Sequence, residues 1–225
     1  MKSILVLAGP SGVGKTSVAV EILSKSEKYK LIRSATTRRP RGDGHDGEYI
    51  YFSEEEFENL ITSGELLEYM NYSGNFYGTP YSEINLAFSE GKIPLLILDL
   101  AGVNSLRRKN FDFSVFVFYI FEDPNVIEKR LYDRELLKNP SVSALETFLK
   151  RRAANLKDYS RLPAIADNFD AFVKNETVEK SADAVIKLHK EFSLGRAKNI
   201  EENTKIAEEL SLFAKERLSH LGINE

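Results

Sequence analysis

The chain has 225 residues, 42% of them hydrophobic, which is enough for a packed core and too much for a disordered chain. Its 31 Lys and Arg face 34 Asp and Glu, a formal net charge of −3, which excludes coating nucleic acid through an overall basic excess. Cysteine is absent and the three histidines, His45, His189 and His220, are scattered, so disulfides and thiolate metal centres are excluded and a histidine zinc site is not expected.

The first apolar run, Ile4 to Ala8, shows no alternation, as expected of a strand buried on both faces in a parallel sheet. Five residues make neither a signal-peptide core nor a membrane span, so a soluble cytoplasmic protein without membrane or nucleic-acid partners is expected. Gly9 to Gly14 break the run, and Val18, Ile22 and Leu23 then recur at helical spacing. Between Ile32 and Thr79 the rhythm changes. Short strand-like pieces appear at Tyr49 to Phe52 and Leu67 to Tyr72, and the second meets Asn75-Phe76-Tyr77 across Ser73-Gly74, a tight hairpin signal. Ser53 with Glu56 forms a capping-box pattern before Phe57, Leu60 and Ile61.

Buried-strand character returns at Leu95 to Leu98, at Val115 to Ile120 and, more weakly, at Ala171 to Val173. With helical segments between them, the frame is α/β with a parallel sheet, interrupted by a small α+β insertion. Ser143 with Glu146 predicts a second capping box, opening a long basic helix through Arg151 and Arg152. After Leu194 and a Gly195-Arg196-Ala197-Lys198 linker, Ile206, Leu210, Phe213, Leu218 and Leu221 fall on one helical face. That stripe predicts an amphipathic helix that must bury itself, on its own core in preference to a second subunit.

Gly9-Pro10-Ser11-Gly12-Val13-Gly14-Lys15-Thr16 matches G-x-x-x-x-G-K-[ST] in full, after a strand and before a helix. The glycines let backbone N–H groups converge on phosphate, and the helix adds its positive end. Lys15 is placed to reach the β- and γ-phosphates of a nucleoside triphosphate, and the Thr16 hydroxyl to face Mg²⁺. No Asn-Lys-x-Asp segment follows a later strand, as a GTPase requires. Ser34-Ala35-Thr36-Thr37-Arg38-Arg39-Pro40-Arg41 reads as a rigid loop presenting guanidinium forks, with arginines three apart.

These motifs, with Gly47 to Phe52, Gly64 to Tyr69, Gly74 to Thr79, Arg130 to Arg134 and Phe172 to Glu176 in that order, make the chain similar to guanylate kinases over roughly residues 3 to 190. The resemblance implies a P-loop NTPase core with a parallel five-stranded sheet at residues 1–32 and 80–192, with a helical lid at about 123–160. It implies a GMP-binding subdomain at 33–79, and residues 193–225 form an extension without an inherited role. It implies transfer of a phosphoryl group from ATP to GMP, and to dGMP. By the same resemblance Ser34, Glu68 and Thr79 read guanine, while Arg38, Arg41, Tyr49 and Tyr77 clamp the GMP phosphate. Arg130, Arg134 and Arg151 are the implied lid arginines, and Asn175 lies near the ATP adenine.

The chemistry of Glu68 agrees, because a carboxylate accepts both N1–H and the exocyclic amine of guanine, and adenine has no N1–H to give. Ser34 and Thr79 hydroxyls suit the guanine O6. Two departures stand out. Where the family carries Asp-x-Asp-x-Gln-Gly, this chain reads Ile97-Leu98-Asp99-Leu100-Ala101-Gly102, so only Asp99 remains to support Mg²⁺ through water or to touch the guanine side. The alternatives are an inactive interaction module of the same fold, disfavoured by the intact Lys15 and Thr16, and a small-molecule kinase with a changed acceptor. Monomer and homodimer both stay open.

Overall fold

The computed structural model describes residues 2–40, 46–72, 74–137 and 140–220. A five-stranded sheet has the order β2-β7-β1-β8-β9, formed by β1 (Ser3–Ala8), β2 (Tyr29–Leu31), β7 (Ile93–Ile97), β8 (Ser114–Phe121) and β9 (Ala171–Lys174). Two neighbouring pairs, β2 with β7 and β8 with β9, run parallel. Ile4 to Ala8 are fully buried, which accounts for their unbroken apolar run. A second, four-stranded sheet has the order β4-β3-β6-β5, from β3 (Ser34–Thr36), β4 (Tyr49–Tyr51), β5 (Leu66–Tyr72) and β6 (Asn75–Pro80). The expected α/β frame and its α+β insertion are both present.

The chain divides into two compact units, Met1–Val6 with Ile22–Val115, and Leu7–Glu21 with Phe116–Glu225. In the first, α2 (Glu54–Thr62) carries the Ser53–Glu56 capping box as read from the sequence. Its Phe57 is fully buried with Ala35 and Leu66 and stacks on Phe76 at 5.4 Å. The hairpin closes with Tyr72 paired to Asn75, and Gly74 at φ +78° supplies the left-handed turn residue; Ser73 lies outside the described residues. α3 (Tyr81–Ser89) and α4 (Leu100–Arg107) complete the unit.

Three expectations need correction there and beyond. The segment from Ser34 is not wholly loop, because Ser34 to Thr36 form β3, parallel to β4 and antiparallel to β6. The strand β2 has no counterpart among the expected elements. The basic helix α6 (Val142–Ile165) is capped by Ser141, which accepts from Ala144 N–H, and Ser143 lies inside its first turn.

The second unit also holds α1 (Lys15–Lys25) up to Glu21, α5 (Pro124–Tyr132), a π-helical turn over Asp133–Leu137, and α7 (Val178–Ser193). The C-terminal helix α8 (Ile200–His220) packs on α6, the adjoining turn at Ala166–Asn168 and β9. Its buried seam is Asn203, Ala207, Leu210, Ser211 and Ala214, so of the row of large apolar residues read from the sequence only Leu210 lies in it among the described residues. Ile206, Phe213 and Leu218 are only half-buried at its flanks, and Leu221 lies outside the described residues. Small residues at the seam let the two helices approach closely. Asn203 Nδ2 donates to Phe169 O at 3.2 Å and Ser211 Oγ to Ser160 O at 3.4 Å. The seam itself is buried within the chain. Burying a leucine contributes ~1.5–3 kcal/mol, so truncation after Leu194 is expected to lower Tm by roughly 5 °C or more in thermal denaturation. An unchanged Tm would mean that α8 is not held by this seam. Among the described residues no helix is long and apolar enough to cross a membrane.

Candidate active site

The candidate site residues fall into two groups, one in each unit. In the second unit β1 runs into the glycine loop and α1 begins at Lys15. The loop admits no side chain at two points. A Cβ on Gly9 (φ +146°) would lie 2.3 Å from Ile120 O, and one on Gly14 (φ +97°) would lie 2.8 Å from Asn175 Nδ2. Several carbonyls of the loop are engaged by side chains. Lys15 Nζ donates to Gly9 O at 2.7 Å and Pro10 O at 3.0 Å. Asn175, 2% exposed, donates to Val13 O at 2.6 Å and accepts from Ser181 Oγ at 2.9 Å. Its side chain therefore braces the loop directly.

The three arginines expected in a lid, Arg130, Arg134 and Arg151, lie on α5, the π-helical turn and α6. Arg130 Nη1 reaches Val13 O at 3.5 Å, and Arg151 Nη1 donates to Ser11 Oγ at 3.0 Å. Arg134, half-exposed, pairs with Glu135 at 2.8 Å, and Arg151 Nε lies 3.4 Å from the same carboxylate. Arg152 instead pairs with Glu128 at 2.8 Å, so of the two adjacent arginines it is Arg151 that faces the loop. Glu135 thus holds two guanidinium groups.

In the first unit Glu68 on β5 is 3% exposed. A register shift between Leu66 and Tyr69 interrupts its strand pairing. Thr79 Oγ1 donates to Glu68 Oε1 at 2.7 Å. The sequence suggested that Thr79 donates to guanine O6, but its single O–H is given to Glu68, so here it orients the carboxylate. A Cβ on Gly102 would sit 3.2 Å from Glu68 Oε2, so a side chain there would crowd the carboxylate. Burial pushes the Glu68 carboxyl up to about 7; the Thr79 hydroxyl opposes the rise, the charge of Asp99 adds to it, and Lys109 opposes it.

Asp99 caps α4 and accepts from Gly102 N–H at 2.8 Å. Ile97 ends β7 half-buried, and Ala101 is exposed in the first turn of α4. Lys109, missed by the sequence reading, donates to Leu67 O at 2.5 Å; nothing in its surroundings along the chain signals this. The Arg38 guanidinium lies 5.0 Å from the Tyr49 ring centre, and Tyr49 meets Tyr77 edge-on at 6.3 Å. Half-buried Ser34 pairs with Tyr49 across β3 and β4. Arg41 lies outside the described residues. A second residue the sequence reading missed, Asn155 on α6, bonds to Ser11; its place one helical turn after Arg151 was the available signal.

The profile of the guanylate kinase family matches residues 1–191, ending before α8. A guanylate kinase from Prochlorococcus marinus subsp. pastoris is 32% identical over 191 residues, covering 84% of this chain and 98% of that protein. One from Streptococcus thermophilus is 42% identical over 133 residues, covering 58% and 63%. The crystal structure of guanylate kinase from Anaplasma phagocytophilum superposes with a TM-score of 0.60 at 26% identity, covering 84% of this chain and 86% of that one. By that match over residues 1–191 and by those relatives, this chain belongs to the guanylate kinase family.

Proposed function

We propose that the protein transfers the γ-phosphoryl group of ATP to GMP, and to dGMP, giving ADP and GDP in the cytoplasm. The observation that carries the acceptor is Glu68, a carboxylate buried with one oxygen held by Thr79 and the other against Gly102. A buried carboxylate without donors is costly, and guanine brings two, N1–H and the exocyclic amine. Ser34 completes base reading, while Arg38, Arg41, Tyr49 and Tyr77 hold the GMP phosphate.

On the donor side, Gly9 to Thr16 cradle the ATP phosphates, and Asn175 keeps the loop shaped beneath them. Lys15 leaves two neutral carbonyls for the anionic β- and γ-oxygens. Arg130, Arg134 and Arg151 neutralise charge on the transferring group, for which Arg134 and Arg151 must release Glu135. Mg²⁺ bound with ATP is held mainly by phosphate oxygens and water and takes one or two ligands from the protein. Thr16, in the first turn of α1, is the residue that would hold it, and when bound it would draw charge from the phosphate oxygens.

An ADP-release assay across GMP, dGMP, AMP, UMP and CMP tests the reading. GMP is expected to lead AMP and the pyrimidines by ~10²-fold or more. Preference for another acceptor would locate the change at Ile97 and Ala101, and absence of any turnover would leave an interaction module.

A pH dependence follows from Glu68. Guanine needs the ionised form, whose share falls as pH drops through about 7. Between about pH 8.5 and 6.5 GMP affinity is expected to weaken by about fourfold beyond any phosphate effect, with proton release on binding. Calorimetry in buffers of different ionisation enthalpy reads both. A flat profile with no proton exchange would remove Glu68 from the base.

A further inference from the structure

Asn155 is a polar side chain only 5% exposed. Its Oδ1 accepts from Ser11 N–H at 2.8 Å and its Nδ2 donates to Ser11 O at 2.9 Å. One amide therefore takes both backbone groups of one loop residue, as a paired strand would. One turn earlier on α6, Arg151 takes the hydroxyl of the same serine.

Two consequences follow. A phosphate loop works by its N–H groups, so its carbonyls, whose oxygens repel phosphate, must point elsewhere. Ser11 O is turned to Asn155, as Val13 O is turned to Asn175. A glycine-rich loop held in this way loses less freedom when nucleotide binds. Residues four apart on a helix also share a face, so the grip of Asn155 on the loop sets the distance from the loop to Arg151.

We propose that Asn155 is a positioning residue of the ATP site, holding Ser11 with its carbonyl away from the phosphates and tying α6, and with it Arg151, to the loop. The proposal rests on the ATP reading above and not on the identity of the acceptor.

The test uses the full chain with Asn155→Asp, which keeps the acceptor for Ser11 N–H, loses the donor to Ser11 O and adds negative charge beside the phosphates. Calorimetry is expected to show binding of Mg²⁺-ADP weakened ~10-fold or more, with the KM for ATP rising in step. The KM for GMP is expected to stay within about twofold. Should the Asp variant not fold, Asn155→Ala, which loses both bonds without a new charge, is expected to weaken Mg²⁺-ADP binding ~3–10-fold. Because Asn155 acts partly through Arg151, kcat of Asn155→Ala with Arg151→Ala should fall less than the product of the single losses. Unchanged Mg²⁺-ADP affinity in a folded variant, an equal rise in both KM values, or strictly multiplicative losses would overturn the proposal. Wild-type protein that binds no Mg²⁺-ADP would overturn the ATP reading and this proposal together. Wild-type protein that binds it without phosphorylating GMP would overturn only the acceptor.

Discussion

Lys15→Ala is expected to lower the rate of phosphoryl transfer by two or more orders of magnitude, with Tm shifted by no more than about 2 °C. The Lys15 ammonium rests on the carbonyls of Gly9 and Pro10. Those are neutral acceptors within its own loop, and water replaces the lost interactions readily, so stability changes little. In the proposed transfer the same ammonium would face the anionic β- and γ-oxygens, where a positive charge lowers the barrier most. A hundredfold loss corresponds to ~2.7 kcal/mol of transition-state stabilisation. Single-turnover kinetics with saturating ATP and GMP isolate this step. Near-normal turnover would end the kinase mechanism. A collapse of Tm alongside the rate would show instead that the ammonium is part of the loop's own support.

The phosphate loop was legible because its chemistry needs particular residues at fixed intervals, and so were the long buried strands, whose apolar runs have no other use. β2 and β3 escaped because, unlike the aromatic and β-branched β4, their three residues carry neither a period nor a run of strand-forming side chains. Tyr29-Lys30-Leu31 and Ser34-Ala35-Thr36 acquire their strand character from partners far along the chain, β7 for one and β4 and β6 for the other. The start of α6 was misplaced by two residues because the cap uses the backbone N–H of Ala144, which leaves no mark in the sequence, while the glutamate three after Ser143 does. In α8 a search for large apolar residues found Leu210 in the seam and passed over Ala207 and Ala214 on either side of it, which bury completely. The burial of Glu68 depends on what folds over the hairpin, and no local pattern encodes that. Family resemblance supplied the residue, and the structure supplies the reason that it is costly to keep there.

That cost leads to the second large effect. Glu68→Gln is expected to lower kcat/KM for GMP by ~10²-fold or more, while the protein without ligand becomes no less stable at about pH 8, or more so. The activity loss follows from the amide, which offers one acceptor oxygen where guanine presents two donors and sets an N–H₂ against one of them. The stability change follows from the direction of the Glu68 shift. Its folded carboxyl titrates at about 7, raised above its ordinary value by burial, so the folded state holds a proton that the unfolded chain has released. Stability from this group is present at low pH and lost as pH rises through about 7. The amide of the variant has no proton to lose, its oxygen can keep the Thr79 hydroxyl, and its nitrogen would carry donors toward the charge of Asp99. Thermal denaturation at about pH 6 and pH 8 therefore separates the proteins: wild type loses Tm across that interval by more than Glu68→Gln does. If the variant is less stable than wild type at the higher pH and binds GMP normally, Glu68 supports the fold and the base is read elsewhere. If it is at least as stable and has lost GMP, the carboxylate is buried at the expense of stability for the sake of guanine.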